Sequence, residues 1–264
     1  MNLLPHVLLS LVLFIHEKRV FGSLAADVEN TFNASAECSS TATGVTSSIG
    51  LRATPIENDS DNRTLFELWH DLECNAYFQY PRPIHPPEAW SNTRALYRRI
   101  MGEDSSIGTN KDDIEDTDGF YVPVTAKYTF NMGRGIFAAA NITAGSLIWS
   151  TKNTARFHSG PLYRQFVNSL EEGFACDVLQ WSYVQDVGNG VLRISVDLDG
   201  NSYCNDGSME YSGPNQGCYE ESALHHEGGC NEHYFALRDI DAGEELLCAY
   251  NEFAVEHGWE FFGL

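Results

Sequence analysis

The sequence predicts an α+β, β-rich fold over residues 120–264, preceded by a helical N-terminal segment. Two observations carry this. From about Phe120 onward, short apolar runs with β-branched and aromatic residues alternate with Gly, Asn and Asp turns, the pattern of short strands. Residues 64–101 and 161–185 instead space their apolar side chains for one face of a helix.

The elements follow in order. Residues 3–15, LLPHVLLSLVLFI, are too short for a comfortable membrane span and have the length of a signal-peptide core. Ser23-Leu24-Ala25 offers small residues for cleavage, so 1–25 is expected to be a signal peptide and no stable membrane span is expected. Sequons at Asn33, Asn58, Asn62 and Asn141 agree with secretion. Residues 26–63 are rich in Ser, Thr, Ala, Asn and Asp and predict a flexible linker. Residues 64–119 form the helical segment, with Leu65, Leu68, Trp69 and Leu72 on one face, an extended proline-rich piece, and an acidic loop. Strands are expected at 121–124, 134–139, 146–151, 191–198, 233–240 and 245–250. Between 161 and 185 a helical stripe would bury Leu162, Phe166, Leu170, Phe174 and Leu179. Ile142-Thr143-Ala144-Gly145 is echoed by Ile240-Asp241-Ala242-Gly243, each a tight turn feeding a strand.

Composition limits the function. The chain holds 16 Lys+Arg against 37 Asp+Glu, a net charge of −21. It lacks the material for a basic nucleic-acid footprint, so direct nucleic-acid binding is not expected; an acidic surface suits a basic partner. Seven cysteines include no CxxC pair, and Cys204, Cys218, Cys230 and His233 match no common zinc spacing, so no metal site is expected. In a secreted chain Cys204, Cys218 and Cys230 would contribute a disulfide, and the odd count leaves at least one thiol over.

Two ordered motifs carry a resemblance. Gly133-Arg134-Gly135 opens the run GRGIFAAANITAGSLIW, and about a hundred residues later comes YFALRDIDAGEELLCAY. Together they resemble the opening and closing motifs of a SET domain, over roughly residues 120–264. Between them the family carries R-F-x-N-H-S-C-x-P-N. Here Asn205 takes the place of the Asn, Asp206 replaces the His, and Pro214-Asn215 follows an insertion.

The resemblance implies a β-clip-like set of small sheets with a pseudoknotted, threaded C-terminus. It implies methyl transfer from S-adenosyl-L-methionine to a lysine of a protein or peptide substrate, expected to be basic. Gly133, Arg134 and Gly135 would lend backbone groups to the methionine end of the cofactor, with Asn205 and Asp206 holding other parts. Tyr250 would be the catalytic residue at the lysine channel. Cys248 stands where many family members carry an aromatic ring, and a small side chain there implies room for more methyl groups. The tail residues Trp259, Phe261 and Phe262 either cover the channel or complete the core. Asp206 for His and Ala249 for Asp leave a catalytically inactive SET-like interaction module as the alternative. The leader places the protein in the secretory pathway or an organelle reached through it; without a working leader, nucleus or cytoplasm is the alternative.

Overall fold

A computed structural model describes residues 61–107, 118–129, 132–208, 213–255 and 257–264. The apolar run, the cleavage site, the linker up to residue 60, Asn33, Asn58 and most of the acidic loop lie outside them. Among the described residues, no helix is long and apolar enough to cross a membrane.

Helix α1 (Leu65–Asp71) starts at a reciprocal cap. Thr64 Oγ1 accepts from the Glu67 amide, and Glu67 Oε2 accepts from the Thr64 amide at 2.8 Å. A short α2 (Cys74–Tyr77) follows, then the extended proline-rich piece. Helix α3 (Pro87–Met101) opens on proline, whose missing N–H costs nothing there. It buries Trp90, Arg94, Tyr97 and Met101, spaced three or four apart. Tyr97 Oη donates to the Arg156 carbonyl and accepts from its amide, so the helix is stitched to a strand 59 residues away.

Strands β1 (Val124–Thr129) and β2 (Gly133–Ala138) form an antiparallel hairpin. Then come β3 (Leu147–Ser150), β4 (Thr154–Phe157), α4 (Gly160–Asn168), α5 (Glu172–Trp181), β5 (Tyr183–Asp186) and β6 (Leu192–Asp197). The two-residue strands β7 (Asn205–Asp206) and β8 (Gln216–Gly217), helix α6 (Glu220–Ala223), β9 (His233–Ala236) and β10 (Leu247–Cys248) complete the order. The sheets are small: β3-β9-β8, β4-β6-β5, the β1-β2 hairpin, and β10 parallel to β7. One core holds Leu68, Trp90 and Tyr97 together with Ile136, Phe157 and Ile194.

The repeated Ala-Gly turns pair with each other. Ile142 and Ile240 exchange both backbone hydrogen bonds at 2.9 Å, Ala144 donates to Asp239 Oδ1, and Ala242 donates to Asn141 Oδ1. Gly145 and Gly243, at φ of 78° and 89°, take the left-handed turn that glycine tolerates best.

The helical stretch after 160 differs from expectation. It is two helices, parted at Ser169–Glu171, and β5 occupies its end. Phe166 and Phe174 are buried as expected, but Tyr163 and Val167 replace Leu162 and Leu170 as the buried partners. The expected strand at 121–124 gives only its last residue to β1. The tail completes the core: Phe262 is buried, Trp259 packs near Tyr163, and the Gly263 carbonyl accepts from Arg164, while Phe261 stays exposed.

Asp197, buried at the end of β6, accepts hydrogen bonds from Thr154 and Asn201. Burial, and then the charge of Asp199, push its pKa up to about 6. Between about pH 4 and 6 the folded protein therefore keeps a proton that the unfolded chain has released. Stability falls as pH rises through that window, by roughly 3 kcal/mol in all, and is flat for this group above it. Urea midpoints at pH 4.5 and 7 check this: Asp197→Asn is expected to remove that slope.

Candidate functional site

The site is assembled at the N-terminal end of β2. Gly133 sits at φ 80° and starts the strand. Arg134 then turns its side chain inward, where it is 3% exposed. Its two terminal nitrogens donate to both oxygens of Asp177 on α5, at 2.8 and 2.6 Å, and its guanidinium lies over the rings of Trp181 and Tyr203. Arg134 can offer a ligand its backbone only.

Asp177 is fully buried and is the hub beneath this strand. Tyr77, Arg82 and His85 also reach it, at 3.2, 3.1 and 2.7 Å. Burial opposes its ionisation, but the hydrogen bonds from His85 and Arg134 and the charges of Arg134 and Arg82 prevail. Its carboxyl is held below the usual range.

Asn205 comes to the same strand from β7. Its amide donates to the Arg134 carbonyl at 2.9 Å and to Glu245 Oε1 at 2.7 Å. Gly135 completes the group: a Cβ there would collide with that Glu245 oxygen. So Gly133, Arg134, Gly135 and Asn205 meet within one cluster, joined by Glu245. Asp206 lies at its edge, where Oδ1 accepts from the Ser208 amide and hydroxyl.

The pairing of β7 with β10 brings the closing motif alongside. Leu247 stands opposite Asn205 and Cys248 opposite Asp206. Asn215, fully buried, threads the junction. Its side chain accepts from the Leu247 amide and donates to the Glu245 carbonyl, while its own amide donates to the Leu247 carbonyl. Asn215 was visible as part of Pro214-Asn215 but had no assigned role.

Tyr250 follows β10. Its hydroxyl donates to the Cys204 carbonyl at 2.8 Å, one residue before Asn205. Desolvation around the hydroxyl and then the Asp206 charge push its pKa up to about 12, so it is a neutral phenol at physiological pH. The Phe253 ring lies 5.7 Å from that of Tyr250 and 4.8 Å from that of Tyr183. Beyond it a cavity of about 60 Å³ is bounded by Tyr183, Tyr234, Phe253, Arg156, Arg193 and Glu252 among others.

Three disulfides join Cys74 to Cys176, Cys204 to Cys248, and Cys218 to Cys230. Sequence reasoning had left these pairings open. Cys248 is thus not a small free side chain: its sulfur is bonded to Cys204, and Gln216 Nε2 donates toward both sulfurs. A cystine stands where a small free thiol was expected. Among the described residues, no group of three His, Cys, Asp or Glu is placed to hold a metal ion.

A search of the curated proteins finds no match. Among solved structures, ctPRC2 in an autoinhibited conformation bound to S-adenosylmethionine is similar at 19% identity and a TM-score of 0.33, over 50% of this chain and 16% of that one. ATXR5 in complex with a mono-methylated histone H3.1 is similar at 16% identity and a TM-score of 0.33, over 53% of this chain and 62% of that one. The chain therefore spans less than two thirds of either. The family model described as SET domain matches residues 133–251, which contain the glycine pair, both threaded strands and Tyr250. Residues 133–251 of this chain thus match the SET domain family, over a little under half of its length.

Proposed function

We propose that the protein transfers a methyl group from S-adenosylmethionine to a lysine side chain of a basic protein or peptide. The observation that carries the proposal is the threaded β7–β10 pair, which sets Asn205 against the Gly133–Gly135 strand and Tyr250 one residue away on the same junction.

The donor set suits the cofactor. Two glycine positions where side chains would crowd their neighbours, a carbonyl held by Asn205 and the Glu245 carboxylate form a polar cradle around one strand. When bound, S-adenosylmethionine supplies a methyl group on a sulfonium. Everything else falls to the chain. Gly133, Gly135 and the Arg134 backbone would hold the amino-acid end, and Asn205 would fix the cradle's floor. Tyr250, neutral and already donating to a carbonyl, would orient the incoming amine. The rings of Phe253, Tyr183 and Tyr234 line the cavity beyond Tyr250, beside Glu252 and the guanidinium groups of Arg156 and Arg193. A free lysine has a pKa of ~10.4. It must lose its proton, and the partly dry lining together with a neighbouring cation disfavours the ammonium. Most of the acceleration then comes from alignment.

The net charge of −21 supports a basic substrate through steering. Three disulfides suit an oxidising compartment, which together with the leader-like run favours the secretory pathway or an organelle reached through it. Asp206 in the place of the family's His favours the second reading, a SET-like module that binds without turnover.

Calorimetric titration with S-adenosylmethionine, followed by transfer of labelled methyl to lysine-rich basic peptides, decides between them. Tyr250→Phe is expected to keep cofactor affinity within about twofold and to lower transfer about a hundredfold, the scale of one lost transition-state donor. Binding without any transfer in the unsubstituted protein would leave the interaction module.

A further inference from the structure

Opposite charges flank the two glycines of β2. On one side lies Arg82, from the extended piece before α3 and outside the SET match. Its Nη2 stands 3.3 Å from where a Cβ on Gly133 would be. Its backbone is held by Tyr128, whose hydroxyl donates to the Arg82 carbonyl at 2.7 Å. Its Nη1 donates to Asp177 and to Gln180, and its guanidinium lies over the Phe78 ring. Nη2, by contrast, makes no hydrogen bond among the described residues. On the other side lies Glu245, whose carboxylate fills the space beside Gly135 and accepts from Asn205.

We propose that Arg82 and Glu245 recognise the two charges of an α-amino-acid group, Arg82 taking the carboxylate and Glu245 the ammonium. This rests on the reading of the site as one for S-adenosylmethionine, and assigns its methionine end a pair of charged contacts. Gly133 and Gly135 are two positions apart on a strand, about 7 Å. An α-carbon bearing carboxylate and ammonium bridges such a gap with a charge-assisted hydrogen bond at each end. The guanidinium is anchored through one nitrogen and presents the other, so little side-chain freedom is lost on binding. The anchor also explains why Arg134 is not used: its own guanidinium is spent on Asp177, and the cation comes from an earlier segment instead.

The chain is titrated calorimetrically with S-adenosylmethionine, with its decarboxylated analogue, and with methylthioadenosine, which lacks the whole amino-acid group. The unsubstituted protein is expected to prefer S-adenosylmethionine over the decarboxylated form by about tenfold or more, the scale of one charge-assisted bond. In Arg82→Gln that preference disappears while affinity for the decarboxylated form is unchanged. In Glu245→Gln both ligands that carry the ammonium weaken, and methylthioadenosine does not. Because each variant is judged by a ratio between ligands on the same folded protein, loss of stability does not imitate the result. Equal weakening of all three ligands by either variant, or no weakening, overturns the proposal and leaves the cofactor site standing. Failure of the unsubstituted protein to bind any of them overturns the cofactor reading and this one with it.

Discussion

Asp177→Ala is expected to cost about 3–5 kcal/mol of stability, the usual consequence of removing one partner from a buried ionic group. Asp177 has no exposed surface and accepts from Arg134, Arg82, His85 and Tyr77. Its loss would leave the Arg134 guanidinium buried with only the Pro83 carbonyl among its hydrogen-bond acceptors. Asp177→Asn keeps the shape and two of the acceptor contacts, and should fall between. Urea unfolding measures both. A loss under 1 kcal/mol for the alanine variant would mean that water or a shifted acid takes over the four donors.

Replacing Cys204 and Cys248 together by alanine is expected to cost about 4 kcal/mol, from the chain entropy released by opening a link across 44 residues. The same change at Cys218 and Cys230, 12 apart, should cost about 3. The sharper contrast is at the site. Cys204 adjoins Asn205, and Cys248 stands two residues before Tyr250, so only the first pair should weaken S-adenosylmethionine binding. Equal effects of the two variants on binding would show that the Cys204–Cys248 link is structural ballast, remote in effect from the site.

Much of the fold was legible in the residues. The glycine pair, the two Ala-Gly turns and the closing motif each place a turn and a strand where they are found. What stayed hidden has physical reasons. β7 and β8 have two residues each, too few to show any alternation. β4 lies in a stretch, Thr154-Ala155-Arg156-Phe157, whose arginine is kept by an ion pair with Glu232, 76 residues away. Asp177 sits on an otherwise apolar helix face, and its partners Arg82 and His85 lie 95 and 92 residues earlier. No local pattern announces a charge balanced at that range. At the site, Asn205 was singled out by its place in a motif. Glu245 was passed over within the same closing motif, because its neighbours Gly135 and Asn205 come together only once the chain has threaded.

That threading sets a schedule. Asn205 and the β2 hairpin are made early, but the strand that locks them, Leu247–Cys248, is translated more than forty residues after Asn205. A chain stalled on the ribosome before Leu247 owns every piece of the glycine cradle and has nothing to close it. Closure then needs the late strand to take up the Asn215 hydrogen bonds and two thiols to meet. Long-range parallel pairing of this kind forms slowly. The cradle is therefore closed only after Leu247 and Cys248 have been made.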